Sequence, residues 1–283
     1  MALPSPVKTS HFEPYPELDP KLPQHSTKGK HVLITGGGSG FGSAITDSFA
    51  QSGAANISIL GRKESVLLAK KKTTEAQYPG TKVHVLVADL ADKLPVDKVV
   101  AEAVKSAGPI DILVANAAYL HDVKPFMESD LDDWYKGFDI NVKGNFNLIR
   151  AFVPHAAPGA TVVEVSTVVQ FNTVPGYSGY HASKLAQHKL FNYLHDEYPA
   201  LHVVSMHPGA MKTDMISKLP AEPPFPYTDT ALSANFIVWL ASPEAKFLDG
   251  KLVWSLWDIT ELKALAKEIE GSSRFTIGMI GWP

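Results

Sequence analysis

The chain has 283 residues, with 26 Lys and Arg against 29 Asp and Glu, a formal net charge of -3, 45% hydrophobic residues and no cysteine. That apolar fraction belongs to a folded globular chain, and the near-balanced charge offers no electrostatic footprint for nucleic acid. The missing cysteine excludes disulfides, thiolate zinc sites, iron–sulfur clusters and a cysteine nucleophile. No apolar run approaches the ~18 residues needed to cross a bilayer, and Met1–Lys30 lacks the layout of a signal peptide. A cytoplasmic protein without a membrane partner is the expectation.

Pro4, Pro6, Pro14, Pro16, Pro20 and Pro23 fall at the start of the sequence. They fix φ and remove amide donors, so residues 1–29 read as an extended arm. Its Phe12 and Tyr15 either dock on the body or belong to a mobile tail. From Lys30 onward, β-rich runs at His31–Thr35, Asn56–Leu60, Val83–Ala88, Ile110–Ala115, Thr161–Ser166, His202–His207 and Lys251–Ser255 alternate with helical spacing. The helical stretches are Gly40–Ser52, Lys63–Tyr78, Val96–Ala107, Leu131–Val153, Tyr180–Tyr198 and Thr228–Ala241. Continuous apolarity in the runs suits parallel strands covered on both faces, and the alternation predicts an α/β doubly wound parallel sheet, the Rossmann architecture. One domain over 30–258 is expected, followed by a tail, 259–283, that opens with a helix at Glu261–Ile269. A second group of prolines, Pro220, Pro223, Pro224 and Pro226, marks the loop Asp214–Asp229 as a lid.

Ligands of such sheets bind at the carboxyl ends of the strands. There the first strand runs into Thr35-Gly36-Gly37-Gly38-Ser39-Gly40-Phe41-Gly42 and a helix follows. Glycines allow positive φ and close approach of backbone amides to a pyrophosphate, and the helix N-terminus adds partial positive charge. The strand before and the helix after make this a dinucleotide site rather than a surface turn. The second strand ends in Gly61-Arg62, where an NAD site usually carries an acid for the ribose 2′-hydroxyl. Arg62 instead suits a 2′-phosphate, to which Ser39 could also donate, so NADP (NADPH) is the expected cofactor.

Tyr180-His181-Ala182-Ser183-Lys184 opens a helix and places phenol and ammonium on one helical face. A nearby cation is expected to lower the tyrosine pKa toward the working pH of a general acid. The spacing alone is weak, since about one such match arises by chance. Tyr78 and Lys82 share it across a Pro-Gly that forbids a common helical face.

With its motifs taken in order, the chain resembles the short-chain dehydrogenase/reductase family in its compact form, from about Lys30 to Asp258. The Thr35–Gly42 turn matches that family's Thr-Gly-x-x-x-Gly-x-Gly, and its cofactor contacts would include Gly36, Ser39, Gly40, Phe41 and Gly42. Asp89-Leu90 stands where the family holds the adenine ring. Ala115-Asn116-Ala117-Ala118 stands for its Asn-Asn-Ala-Gly, with Asn116 at the cofactor. Asn141 matches the helix asparagine of the proton relay, and Pro208-Gly209 with Thr213 the segment against the nicotinamide. The phrasing, including Trp257-Asp258, is similar to reductases of fungal secondary metabolism.

The resemblance implies hydride transfer between nicotinamide and a carbonyl or hydroxyl carbon of a bulky, largely apolar small molecule. Tyr180 would act as acid, and Lys184 would lower its pKa and bind the nicotinamide ribose. The family's active-site hydroxyl lies thirteen residues before the tyrosine, at Thr167, with Ser166 adjacent; strand alternation lets only one of the two face substrate. Ala115 and Ala118 depart from the pattern and put fine positioning in question. A homodimer or homotetramer through the long helices is implied. A non-redox isomerase, dehydratase or cyclase on the same fold, or an idle NADP-binding protein, are the other readings. His181, His188, His195 and His202 recur every seven residues, two helical turns apart, which does not suit one metal ion. Lys70-Lys71-Lys72 reads as a solvated helix face. His121, Met127, Phe171, Tyr177 and Phe225 are candidates to line an apolar pocket, whereas Trp254, Trp257, Phe247 and Leu252 read first as core or subunit contact.

Overall fold

Each β-rich run becomes a strand. The computed structural model describes residues 5–219, 222–223 and 226–278. In it β1 (His31–Thr35), β2 (Asn56–Gly61), β3 (Lys82–Val87), β4 (Ile110–Ala115), β5 (Ala156–Val165), β6 (His202–His207) and β7 (Leu252–Trp254) form one parallel sheet. Its order is β3-β2-β1-β4-β5-β6-β7. β5 begins at Ala156 rather than Thr161 because Ile110 pairs with Ala156 before the register shifts to Ile112–Thr161.

Side chains of a strand alternate between faces, and both faces here are apolar. Val32, Ile34, Ile57, Ile59, Val163 and Val204 point to one layer. Leu33, Leu60, Leu86, Leu113, Val162 and Val203 point to the other. Helices α1 (Gly40–Gln51), α2 (Glu64–Gln77), α3 (Lys93–Ala107), α4 (Leu131–Phe138), α5 (Asn145–Phe152), α6 (Ser178–Glu197) and α7 (Thr230–Leu240) connect the strands, and α8 (Ile259–Ala264) and α9 (Ala266–Ile269) follow. Ile45 and Phe49 of α1 and Phe236 and Trp239 of α7 pack on the first face. Val96 and Val100 of α3, Leu148 and Phe152 of α5, and Phe191 and Leu194 of α6 pack on the second. This is the doubly wound α/β fold the spacing predicts, with the carboxyl ends of all seven strands on one side.

The stretch Leu131–Val153 is not one uninterrupted helix. A π-helical turn, Asp139–Gly144, separates α4 from α5. Lys70 is also not on a solvated face: it is buried, and its ammonium lies 2.6 Å from Asp47. Lys71 beside it donates to Val83 O at 2.6 Å, so the lysine run ties α2 to α1 and β3.

The described part of the arm is docked. Ser10 forms an antiparallel bridge with Trp257, and His11 N donates to Leu256 O at 2.8 Å. His11 Nε2 lies 2.9 Å from Asp258 Oδ2 and its ring stacks on Tyr15 at 3.7 Å. Leu18 is fully buried in the core. On the same sheet edge, Leu252 N of β7 donates to Phe275 O at 2.8 Å. The tail thus gives an acceptor to the Leu252 amide of the edge strand β7, and the arm pairs with the chain just beyond it, at 256–258.

Candidate active site

The glycine turn joins β1 to α1 with Gly36 at φ +68° and Gly40 at φ +50°. A Cβ on Gly42 would lie 2.0 Å from the Gly36 carbonyl oxygen, so no larger residue fits there. Thr35, at the end of β1, accepts at Oγ1 from the amides of Asn116 and Ala117, both at 3.0 Å. Asn116 Nδ2 returns a bond to Thr35 O at 2.8 Å. The brace between β1 and β4 that Ala115 cannot supply is therefore made by Asn116. Ser39 is exposed at the N-cap of α1, while the Phe41 side chain points into the core, leaving its backbone to face the turn. Thr213 closes on the same place: a Cβ on Gly40 would lie 3.8 Å from Thr213 Cγ2. Gly209 adopts φ +80°, and a Cβ there would meet Thr228 Oγ1 at 2.1 Å.

Arg62 leaves the end of β2 exposed, its guanidinium 3.9 Å from the carboxylate of Asp89 at the end of β3. Leu90 beside it is buried against Gly144, and its carbonyl accepts from Asn147 Nδ2 at 2.9 Å. A positive side chain and a row of backbone amides thus surround the mouth of the turn.

Asn141 lies inside the π-helical turn and is fully buried. Its Oδ1 accepts from Tyr119 N at 2.7 Å, and its Nδ2 donates to Tyr119 O at 2.9 Å and to Ser183 Oγ at 3.0 Å. Widened turns of this kind recur at functional sites. Ser183 sits on α6 between Tyr180 and Lys184, so Asn141 is tied to the Tyr–Lys turn through Ser183 rather than to either residue directly.

Tyr180 and Lys184 occupy successive turns of α6. Burial pushes the Tyr180 phenol up to about 12. Lys184 does not offset this as the spacing implied. Its ammonium donates to Val165 O at 2.7 Å and to Gln187 Oε1 at 2.9 Å, which draws it toward the end of β5. Burial lowers the Lys184 ammonium to about 8, against the opposing charge of Glu164. Ser166 and Thr167 follow β5 directly and both are buried. Ser166 Oγ accepts from Gln170 Nε2 at 3.3 Å.

An aromatic recess lies near the end of the loop that follows these hydroxyls. A cavity of about 460 Å³ is lined by Val168 and Phe171 of the loop after Thr167, by Trp254 and Trp257, and by Phe275 and Pro6. Trp254 and Trp257 stack at 5.6 Å, and His207 meets Trp254 edge-on at 5.3 Å. Trp254, Trp257 and Leu252 thus wall this cavity as well as packing the core. Of the other pocket candidates, His121 is buried, Met127 is 90% exposed, Tyr177 stacks on His181 at 5.5 Å, and Phe225 lies outside the described residues. In the histidine series His181 faces Asn172 O, His188 faces Glu164, and His195 and His202 share Asp249. Among the described residues no helix is long and apolar enough to cross a membrane.

Sequence reasoning missed Glu164, Gln187 and Ser205, three buried polar residues beside Lys184. Their signal was a carboxylate inside the apolar run Val162-Val163-Glu164-Val165, where a doubly covered strand has no solvent for it.

Comparison with known proteins agrees with this geometry. Residues 30–224 match the family model described as short chain dehydrogenase. A short chain dehydrogenase/reductase of Aspergillus aculeatus, AacuD, is 34% identical over 279 residues, covering 97% of this chain and 96% of that protein. A short chain dehydrogenase/reductase of Claviceps purpurea is also 34% identical, over 99% of this chain and 96% of its own length. Among solved structures, a short chain dehydrogenase from Shigella flexneri complexed with NADP superimposes with a TM-score of 0.77 at 25% identity, covering 82% of this chain and 99% of that one. The chain belongs to the short-chain dehydrogenase family, a family of oxidoreductases that work with a nicotinamide cofactor.

Proposed function

We propose that the chain is an NADPH-dependent ketone reductase, or in reverse an alcohol dehydrogenase, acting on a bulky, largely apolar small molecule. The observation that carries this reading is Lys184, one helical turn on from Tyr180 in α6, reaching Val165 O at the carboxyl end of β5, where Ser166 and Thr167 follow, on the side of the sheet that holds the glycine turn. The residues present fit a dinucleotide. The Gly36–Gly42 turn is wound so tightly that a Cβ on Gly42 would strike the Gly36 carbonyl, which suits a backbone cradle for pyrophosphate, and the exposed guanidinium of Arg62 beyond β2 suits a 2′-phosphate. NADP in the Shigella structure supports the same preference.

Bound in that cradle, the nicotinamide would supply the hydride that reduces the carbonyl carbon. The chain does the rest. One hydroxyl, Thr167 or Ser166, donates to the carbonyl oxygen and polarises it. Tyr180, whose buried phenol keeps its proton at neutral pH, delivers that proton to the developing alkoxide. Lys184, held at the end of β5 by Val165 O and Gln187, would place its positive charge beside the nicotinamide ribose. Asn141 serves the proton path by fixing Ser183 between Tyr180 and Lys184. The aromatic cavity walled by Phe171, Trp254 and Trp257 would take the apolar body of the substrate. Exposed Leu131, Tyr135 and Phe146 around the π-helical turn, with Leu185 on α6, support assembly through these helices, and sedimentation would read it.

The test is absorbance at the nicotinamide band with a panel of aromatic and alicyclic ketones. NADPH consumption dependent on ketone, lost in Tyr180→Phe with NADPH affinity preserved, is the expected result. Tight NADPH binding with no ketone-dependent consumption would remove the reading.

A further inference from the structure

Glu164 is a carboxylate on an interior strand, flanked by β4 and β6 and covered by α6. It is fully buried, and its neighbours Lys184, Gln187, His188 and Ser205 are each at most 3% exposed. Its two oxygens accept from three directions. Oε2 takes His188 Nδ1 at 2.8 Å and Ser205 Oγ at 2.6 Å, and Oε1 takes Gln187 Nε2 at 3.1 Å. Its register partner on β4 is Ala115, which brings no charge.

These contacts orient Gln187. A carboxylate only accepts hydrogen bonds, so the amide NH2 of Gln187 must face Glu164 and its carbonyl oxygen must face away. That oxygen is the one that accepts from Lys184 Nζ at 2.9 Å. The second acceptor of the ammonium, Val165 O, belongs to the residue next to Glu164 on β5. A line of hydrogen bonds therefore runs from Ser205 and His188 through Glu164 and Gln187 to the lysine.

A buried carboxylate is a poor device for stability alone, because an apolar side chain of similar size on a doubly covered strand would avoid its desolvation. We propose that Glu164 is a positioning residue for Lys184: through Gln187 it fixes where the ammonium sits, and by its charge it keeps that buried ammonium protonated. The inference rests on the reading of Lys184 as part of the reductase site. It adds a residue that touches neither cofactor nor substrate. The titratable groups facing Glu164 are Lys184 and His188 from α6, with the neutral Gln187 from α6 and Ser205 from β6 beside them. Burial works to raise the Glu164 carboxyl. The hydrogen bond from His188 and the charges of His188 and Lys184 outweigh it and hold it below the usual range, so the counter-charge is in place at neutral pH.

The experiment follows the titration of Lys184 in the full chain labelled with 13Cε-lysine, without cofactor, the signal being assigned by its loss in Lys184→Met. Glu164→Gln keeps the shape and removes the charge. Gln187→Met keeps the charge and cuts the link. We expect the Lys184 midpoint to fall by about one unit in Glu164→Gln and by less in Gln187→Met, a shift of about tenfold in the proton equilibrium. The pH profile of kcat in the same variants should lose its alkaline end correspondingly. A residue that only stabilised the fold would lower the unfolding midpoint and leave the Lys184 titration of the folded chain unchanged. That unchanged titration in both variants overturns the proposal, and if Glu164→Gln does not fold, Gln187→Met decides alone. A shifted Lys184 in a chain that reduces no ketone would retain the coupling and reject the reductase reading instead.

Discussion

Asn141 and Tyr119 are joined by a reciprocal pair of hydrogen bonds, the side-chain amide of one closing on the backbone N–H and C=O of the other at 2.7 and 2.9 Å. The loop after β4 is in this way pinned to the π-helical turn. Asn141→Ala leaves both backbone groups and Ser183 without that partner. The expected cost is about 2–4 kcal/mol in urea unfolding, with a fall in turnover in the chain that still folds. A change below about 0.5 kcal/mol would mean that the turn is held by other contacts.

Among the described residues Arg62 pairs with Asp89 at 3.9 Å, and neither side chain is buried. A pair so exposed contributes little to stability, so Arg62→Ala is expected to leave the unfolding midpoint nearly unchanged. Its effect should be on cofactor choice: NADPH weakened about tenfold or more, NADH by much less, as read by fluorescence titration. Equal weakening of the two would dispose of the 2′-phosphate role.

His207 provides a pH dependence of known sign. Burial lowers its imidazole to about 4, from an ordinary value of 6.5. Between those values the unfolded chain binds the proton and the folded chain does not, so stability falls as pH drops from 6.5 toward 4. From pH 7 to pH 5 this residue alone should remove about 2 kcal/mol. His84, also lowered to about 4 chiefly by burial, acts in the same direction, so the comparison must be made by difference. His207→Phe, which keeps an aromatic edge toward Trp254, should lose stability less steeply over that window in denaturant titrations at the two pH values. Parallel slopes would show that His207 takes up its proton without unfolding the chain.

Asp258 caps α8 by accepting from Glu261 N at 2.9 Å and holds the arm through His11 at the same distance. Burial would raise its carboxyl, but the hydrogen bonds from His11 and Glu261 N hold it below the usual range. Asp258→Ala should cost about 1–2 kcal/mol for the lost cap. It should also make residues 8–12 exchange amide protons faster, as hydrogen exchange would report. An arm that stays protected would be held by its remaining contacts with Leu256, Trp257 and Glu261.

The strands, the glycine turn and the Tyr–Lys turn were legible because each is a local pattern: apolar runs for strands covered twice, glycines where φ must be positive, four-residue spacing for one helical face. What was not legible depends on partners distant in the chain. The break in Leu131–Val153 reflects Asn141 reaching back to Tyr119. The docking of the arm depends on Leu256, Asp258 and Glu261, about 250 residues away. The expected lowering of the Tyr180 pKa failed for the same reason: spacing brings the two residues onto one face, but Val165 and Gln187 decide where the ammonium turns.

The way β7 is finished has a consequence for synthesis. A chain emerging from the ribosome delivers the acceptor for Leu252 N only when Phe275 has left the tunnel, although the first strand pairs are available far earlier. Until then that amide lacks its native acceptor, and the arm, made first, waits for Leu256 and Asp258 to hold it. Released chains ending before Phe275 and the full chain should therefore differ in protease cleavage at 252–258, the full chain being the protected one.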